Sequence, residues 1–252
     1  MSHSFPFSKE VRSKKKLLFC FHHAGGSAAI FREWMRSDSP FEVIPVELPG
    51  KSTRLSEPYQ TSMAQLIPTL TADIFELAGE CEIYLFGHSM GAILAFQIAY
   101  AMQTVYGKSI RLLAVAGRQA PQKPNFDRYR SDMGDEKLLE ELKRMDGTPK
   151  ELLENEEVQK YILPIIKRDY ALNESYCYNN EKIQADILVH SGKDDPDLNF
   201  ERIEGWKNVT DGTTRIREWE GGHFFLFELE DAYFRELVAD ITAMDCGEEG
   251  RK

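Results

Sequence analysis

Apolar residues recur along this chain in short compact segments, separated by longer stretches where they return every three or four positions. The segments over residues 16–21, 41–48, 82–86, 111–116, 187–191 and 215–219 are too short for typical helices and read as strands, the second interrupted by Pro45. Runs such as Leu17 to Phe21 lack polar alternation, as expected of strands covered on both faces. Residues 61–79 carry Leu66, Leu70 and Ile74 at four-residue spacing and read as a helix, with Pro68 as a site for a kink. A helix through Phe31 and Trp34, another over 90–106, and a last one over about 231–244, striped by Ala232, Phe234, Leu237, Val238 and Ile241, complete the alternation. Strand, helix, strand, helix predicts an α/β fold, a mostly parallel sheet flanked by helices.

The alternation stops between about 120 and 181. Residues 136–145 are amphipathic, with Leu138, Leu139, Leu142 and Met145 on one face, and 151–169, holding Pro164, read as a second helical stretch. A helical insertion is therefore expected between the fourth and fifth strands of a single domain spanning 1–252, placed as a lid over the sheet edge. Residues 1–14 are polar and expected to fray.

Composition narrows the class. The 252 residues are 42% hydrophobic and 29% charged, ordinary for a soluble globular chain, and the net charge of −10 argues against nucleic acid or an anionic membrane as partner. Lys14-Lys15-Lys16 followed by an apolar run imitates a signal peptide, but the run stops at His22-His23, too early for one, and no stretch is long enough to span a membrane. The four cysteines, Cys20, Cys81, Cys177 and Cys246, are scattered without a Cys-x-x-Cys pair. A cytoplasmic, monomeric protein with neither metal nor cofactor is the expectation.

The chemistry centres on Gly87-His88-Ser89-Met90-Gly91, between the strand at 82–86 and the helix at 90–106. Gly-x-Ser-x-Gly in this setting is the nucleophile elbow of α/β-hydrolases, a turn so tight that Ser89 is strained and its Oγ projects from the sheet edge. A serine hydroxyl needs a base, and the base an orienting carboxylate, here in the chain order Ser, Asp or Glu, His. Downstream lie His190, inside a strand, and His223, in a loop after Gly221-Gly222; His223 is the expected base. Asp194, Asp195 and Asp197 follow Gly192, and Asp195, before Pro196, is the expected acid ahead of Asp194 and then Asp197. The oxyanion of a tetrahedral intermediate needs amide donors, expected from Met90 and from Ala24 in the loop after the first strand. His22, His23 and His88 are read as structural. No Walker A, Gly-x-Gly-x-x-Gly or His-Glu-x-x-His motif competes.

Together these blocks resemble type II thioesterases, the stand-alone editing enzymes of nonribosomal peptide and polyketide synthetases. The resemblance rests on Leu18-Phe19-Cys20-Phe21-His22-His23-Ala24-Gly25-Gly26-Ser27 with Phe31-Arg32-x-Trp34, and on Glu47-Leu48-Pro49-Gly50-Lys51-x-x-Arg54 with Glu57-Pro58. It continues in Gly87 to Ala92, Gly117-Arg118-x-Ala120-Pro121, Leu163-Pro164, Asp169, Glu174 and Tyr176-x-Tyr178. Gly192-x-x-Asp195-Pro196 and Gly221-Gly222-His223-Phe224-Phe225-Leu226 close it, so it covers about 16–242. The family usually has proline where this chain has His22. The resemblance implies an α/β-hydrolase with a helical lid that hydrolyses acyl or aminoacyl thioesters on the phosphopantetheine arms of acyl or peptidyl carrier protein domains. Carrier domains are commonly acidic, as this chain is, so docking is expected on local patches and apolar lid surface, with Lys51 and Arg54 near the site edge. A general serine esterase, an acyl-CoA thioesterase and a non-catalytic adaptor of a synthetase are the alternatives.

Overall fold

A computed structural model describes residues 3–8, 14–123 and 128–249. Strand β1 (Lys16–Phe21) leads through a 3₁₀ turn into helix α1 (Arg32–Arg36) and β2 (Phe41–Pro45). Helix α2 (Met63–Ala78), β3 (Glu82–His88), α3 (Met90–Val105) and β4 (Leu112–Ala116) follow. Three helices, α4 (Asp135–Met145), α5 (Lys150–Leu153) and α6 (Glu156–Glu174), precede β5 (Asp186–Gly192). Helix α7 (Phe200–Glu204), β6 (Thr214–Trp219), α8 (Phe225–Glu228) and α9 (Glu230–Glu249) complete the order. The six strands form one sheet in the order β2-β1-β3-β4-β5-β6, and every pairing between them is parallel.

Parallel neighbours need crossovers, and the crossovers bury both faces. Leu17, Phe19 and Phe21 pack with Leu66, Leu70, Leu94 and Ile98 of α2 and α3, whereas Leu18 and Cys20 pack with Trp34 of α1 and Phe234, Leu237 and Ile241 of α9. The same division puts Ile83 and Leu85 on one face and Tyr84 and Phe86 on the other. Two cores sharing one sheet account for strands with no polar positions. A third, smaller cluster, Tyr129, Leu138, Leu163 and Ile166, packs α4 against α6.

The chain passes from β1 outward to the edge strand β2 and then back to β3, on the other side of β1. Such a reversal leaves a crevice beyond the carboxyl ends of the two diverging strands, the usual binding place in open α/β sheets. Phe21 is in register with Gly87 across β1 and β3, so the loop after β1 and the turn after β3 begin side by side.

The structure corrects three expectations. The second strand stops at Pro45, not at residue 48, because proline offers the ladder no N–H; the edge position tolerates it, and the Val46 amide still donates to the Cys20 carbonyl at 3.0 Å. The helical stretch at 151–169 is two helices, since the Asn155 side chain accepts the Glu157 and Val158 amides and starts α6 afresh. Ser4 and Phe5 are buried, Phe5 against Phe19 with ring centroids 5.6 Å apart, so 3–8 is docked and not frayed; residues 1–2 and 9–13 lie outside the described residues. Among the described residues no helix is long and apolar enough to cross a membrane.

The turn from β3 to α3 has no room for side chains on its glycines. A Cβ on Gly87 would press into the Gly91 carbonyl, and one on Gly91 into the Phe21 carbonyl, both main-chain groups that cannot swing aside. Gly87→Ala and Gly91→Ala are each expected to lower stability by roughly 3 kcal/mol or more, or to prevent folding. Gly134→Ala, with φ −70° and open space around it, is the control and should unfold within a degree or two of the parent in a thermal melt. A Gly91→Ala melt equal to that of the control would mean that the turn is looser than described.

Candidate active site

Ser89 sits between β3 and α3 with φ 56° and ψ −116°, a conformation that a side-chain-bearing residue adopts only under constraint. The constraint is visible in the main chain: the Ser89 amide donates to the Ala116 carbonyl at 2.9 Å, and the Ser89 carbonyl accepts from the Ala92 amide at 3.0 Å. Ser89 borders a cavity of about 330 Å³ at the carboxyl ends of the strands.

His223 borders the same cavity from the loop after β6. Its Nδ1 lies 2.7 Å from Asp195 Oδ2, and because a carboxylate only accepts, Nδ1 carries the proton and Nε2 is left as the basic nitrogen. Asp195 is 4% exposed, and its other oxygen accepts the Asp197 amide at 3.0 Å. The three aspartates differ in their surroundings. Asp194 is exposed, and Asp197 is taken up by Arg144 of α4 in a two-pronged ion pair at 2.9 and 2.7 Å. His190 lies buried against α9, its Nδ1 3.0 Å from the Tyr233 hydroxyl. Among the described residues no hydrogen bond joins Ser89 Oγ to His223, although both face one cavity.

Met90 is the first residue of α3, so its amide has no partner within the helix and stands at the positive end of the helix dipole. Ala24 lines the cavity from the loop after β1. Its neighbours are fixed: the Gly26 amide donates to the His23 carbonyl at 3.0 Å, and the Gly25 amide to Asp169 Oδ2 at 2.6 Å. The five residues singled out in the sequence, Ala24, Ser89, Met90, Asp195 and His223, therefore meet at one place, four on the cavity wall and Asp195 behind His223.

Two features were not legible in the sequence. His23 is part of the cavity wall, with its ring edge-on to His88, Phe224 and Phe227. Lys51 and Arg54 are not exposed edge charges: Lys51 is 3% exposed and pairs with Asp169, while Arg54 holds Glu57 and the Glu47 carbonyl. The far wall comes from the inserted helices, through Leu142 and Met145 of α4, Leu152 of α5, and Ile162, Ile165 and Ile166 of α6. Among the described residues no cluster of side chains could hold a metal ion.

Residues 16–244 match the profile of the thioesterase domain. The gramicidin S biosynthesis protein GrsT of Aneurinibacillus migulanus is 33% identical over 86% of this chain and 86% of its own. A Brevibacillus parabrevis protein named linear gramicidin dehydrogenase LgrE is 35% identical over 96% of this chain and 94% of its own. Among solved structures, the type II thioesterase BorB from the borrelidin biosynthetic cluster superposes with a TM-score of 0.81, at 30% identity, over 92% of this chain and 95% of BorB.

The histidines around the site make stability depend on pH in a definite sense. Burial holds His22, His23 and His88 well below the usual 6.5, with the Lys51 charge adding to it at His22 and His23, and His190 is lowered by burial too. These rings are neutral when folded, whereas the unfolded chain protonates them as pH drops below 6.5. Stability is therefore full above pH 6.5 and is lost on acidification towards the folded values, by up to about 1.4 kcal/mol per pH unit for each ring. Urea unfolding at a series of pH values between 7.5 and 5.5 should show uptake of more than one proton on unfolding. A flat profile would mean that the rings are charged in the folded protein.

Proposed function

This chain belongs to the thioesterase domain family, and on that premise we propose that it is an editing hydrolase of a nonribosomal peptide or polyketide synthetase. Its substrates are acyl and aminoacyl thioesters on the phosphopantetheine arms of carrier protein domains. The observation that carries the reading is the buried His223–Asp195 pair at 2.7 Å on the cavity that the strained Ser89 borders. The likeness to BorB and to GrsT supports the synthetase setting.

In this reading Ser89 Oγ attacks the thioester carbonyl carbon while His223 Nε2 takes the hydroxyl proton. The carbonyl π electrons move to oxygen, and the Ala24 and Met90 amides stabilise that charge. As the intermediate collapses the C–S bond breaks, the pantetheine sulfur leaves as thiol with the proton from His223, and an acyl-Ser89 ester remains. Water, deprotonated by His223, then repeats the sequence and releases the acid. Asp195 keeps Nδ1 protonated and steadies the imidazolium that forms twice per turnover. Every group the reaction uses belongs to the chain or the substrate, so the reading requires no cofactor.

The inserted segment, about 120–181, acts as the lid of a single α/β-hydrolase domain, and its apolar wall from α4, α5 and α6 receives the acyl chain. Leu152 and Tyr161, 43% and 76% exposed on α5 and α6, offer the carrier domain apolar contact beside the cavity. A cytoplasmic monomer fits this role.

Hydrolysis of one acyl group should be compared on a carrier protein, on coenzyme A and as an aryl ester. The carrier-bound thioester is expected to show the highest kcat/KM; equal values on all three would leave a general esterase or acyl-CoA thioesterase. The relative named as a dehydrogenase calls for a parallel assay with reduced nicotinamide cofactors, and cofactor oxidation without acid release would replace hydrolysis by reduction. Ser89→Ala should abolish turnover and labelling by a fluorophosphonate. Asp195→Asn should lower kcat by about 10⁴-fold. Asp194→Asn should leave kcat within about twofold, since its side chain faces solvent. An unlabelled Ser89 in the native protein would favour the adaptor.

A further inference from the structure

Asp169 lies on α6, 144 positions from Gly25, and its side chain is 0% exposed. One oxygen accepts the Gly25 amide at 2.6 Å and the ammonium of Lys51; the other accepts the Tyr59 hydroxyl. Burial, and then the charge of Asp169, push the Tyr59 hydroxyl far above its ordinary range, so it stays protonated as a donor. A buried carboxylate costs several kcal/mol unless it is paired and its lone pairs are filled, and here they are filled by three groups from two segments distant in sequence from Asp169.

We propose that Asp169 is a positioning residue for the oxyanion loop, its carboxylate holding the Gly25 amide so that the adjoining Ala24 amide stays aimed at Ser89. The proposal rests on the hydrolytic reading given above. Gly25 has φ 83°, a conformation open to several alternatives in a glycine, and one fixed amide selects among them. A hydrogen bond from an amide N–H to a charged carboxylate is about twice as strong as one to a neutral acceptor. Ile166, three residues before Asp169 and so on the same face of α6, presses on Gly25 where a Cβ would stand. The inserted helix thus both covers and pins the loop. A donor of the oxyanion hole is set from the lid side of the cavity, and the hole is complete only while α6 is docked.

The test uses Asp169→Asn in the full chain, together with Asp169→Asn/Lys51→Met, which removes the charge on Lys51 that the first change strands. Three quantities are read: kcat/KM on an acyl carrier thioester, the affinity of an acyl-pantetheine trifluoromethyl ketone, and the affinity of the corresponding amide. The ketone adds Ser89 Oγ at its carbonyl carbon, placing negative charge on oxygen where the hole must receive it. The amide binds without that charge. A weakened hole should lower kcat/KM by about 10²-fold and the ketone affinity by a similar factor, leaving the amide within about twofold. Should the single variant fail to fold, the double variant carries the same expectation. Folded variants with parental kcat/KM and ketone affinity would overturn the proposal. So would an equal loss for ketone and amide, which would mean that Asp169 only shapes the cavity. If the parent protein neither hydrolyses the thioester nor binds the ketone, the hydrolytic reading fails first and takes this proposal with it.

Discussion

The site depends on how closely three pieces of main chain approach at the end of β3. Gly87, Gly91 and the Phe21 carbonyl are packed so tightly that a single methyl group would part them. That approach brings the start of α3 against the end of β1, and it leaves Ser89 no relaxed conformation to adopt. Strain of this kind persists only where the surroundings over-determine it. Here they do: the Ser89 amide is tied to β4 through Ala116, and the flanking strands are central in the sheet. The helix dipole, the Met90 amide and the β1 loop reach the serine as consequences of the same packing.

Around this turn, buried carboxylates are divided by their donors. Asp195 accepts from His223 and from the Asp197 amide, whereas Asp169 accepts from Lys51, Tyr59 and the Gly25 amide. The first faces an imidazole on the cavity wall, the second an ammonium that does not line the cavity. Under the proposed reading the first pair serves the chemistry and the second the architecture. The inserted helices take part in both. Arg144 of α4 grips Asp197, two residues beyond Asp195, and Asp169 of α6 grips the loop that carries Ala24.

What was legible in the sequence follows from distance along the chain. Strands buried on both faces announce themselves as unbroken apolar runs, and the elbow is five consecutive residues, so the sheet and Ser89 could be read directly. His223 followed from the order of parts. Asp195 against Asp194 was harder, because adjacent residues in a turn look alike until burial separates them: one is 4% exposed and hydrogen-bonded, the other faces solvent. The split before α6 turns on one Asn155 side chain capping two amides, a local event that apolar periodicity passes over. The docking of Phe5 is invisible in the sequence because its partner, Phe19, is reached only through tertiary packing. Lys51 gives no sign of its burial for the same reason, since the carboxylate it pairs with is 118 positions away.

The division of labour in the cavity follows from these facts. Its floor, with Ser89, Met90, Ala24 and His223, is fixed by the sheet and by turns that tolerate little change. Its far wall is a set of apolar side chains on α4, α5 and α6, and α4 and α6 share a small core of their own. Apolar positions of that kind can change volume at modest cost, so acyl preference can shift there without touching the turn at Ser89. The helices carrying this wall are not free of the chemistry, however. Moving α6 far enough to admit a different chain would pull Asp169 from Gly25, and moving α4 would pull Arg144 from Asp197. Under the proposed reading, selectivity in this scaffold is therefore more readily altered by exchanging side chains such as Met145 or Ile162 than by displacing the helices that bear them.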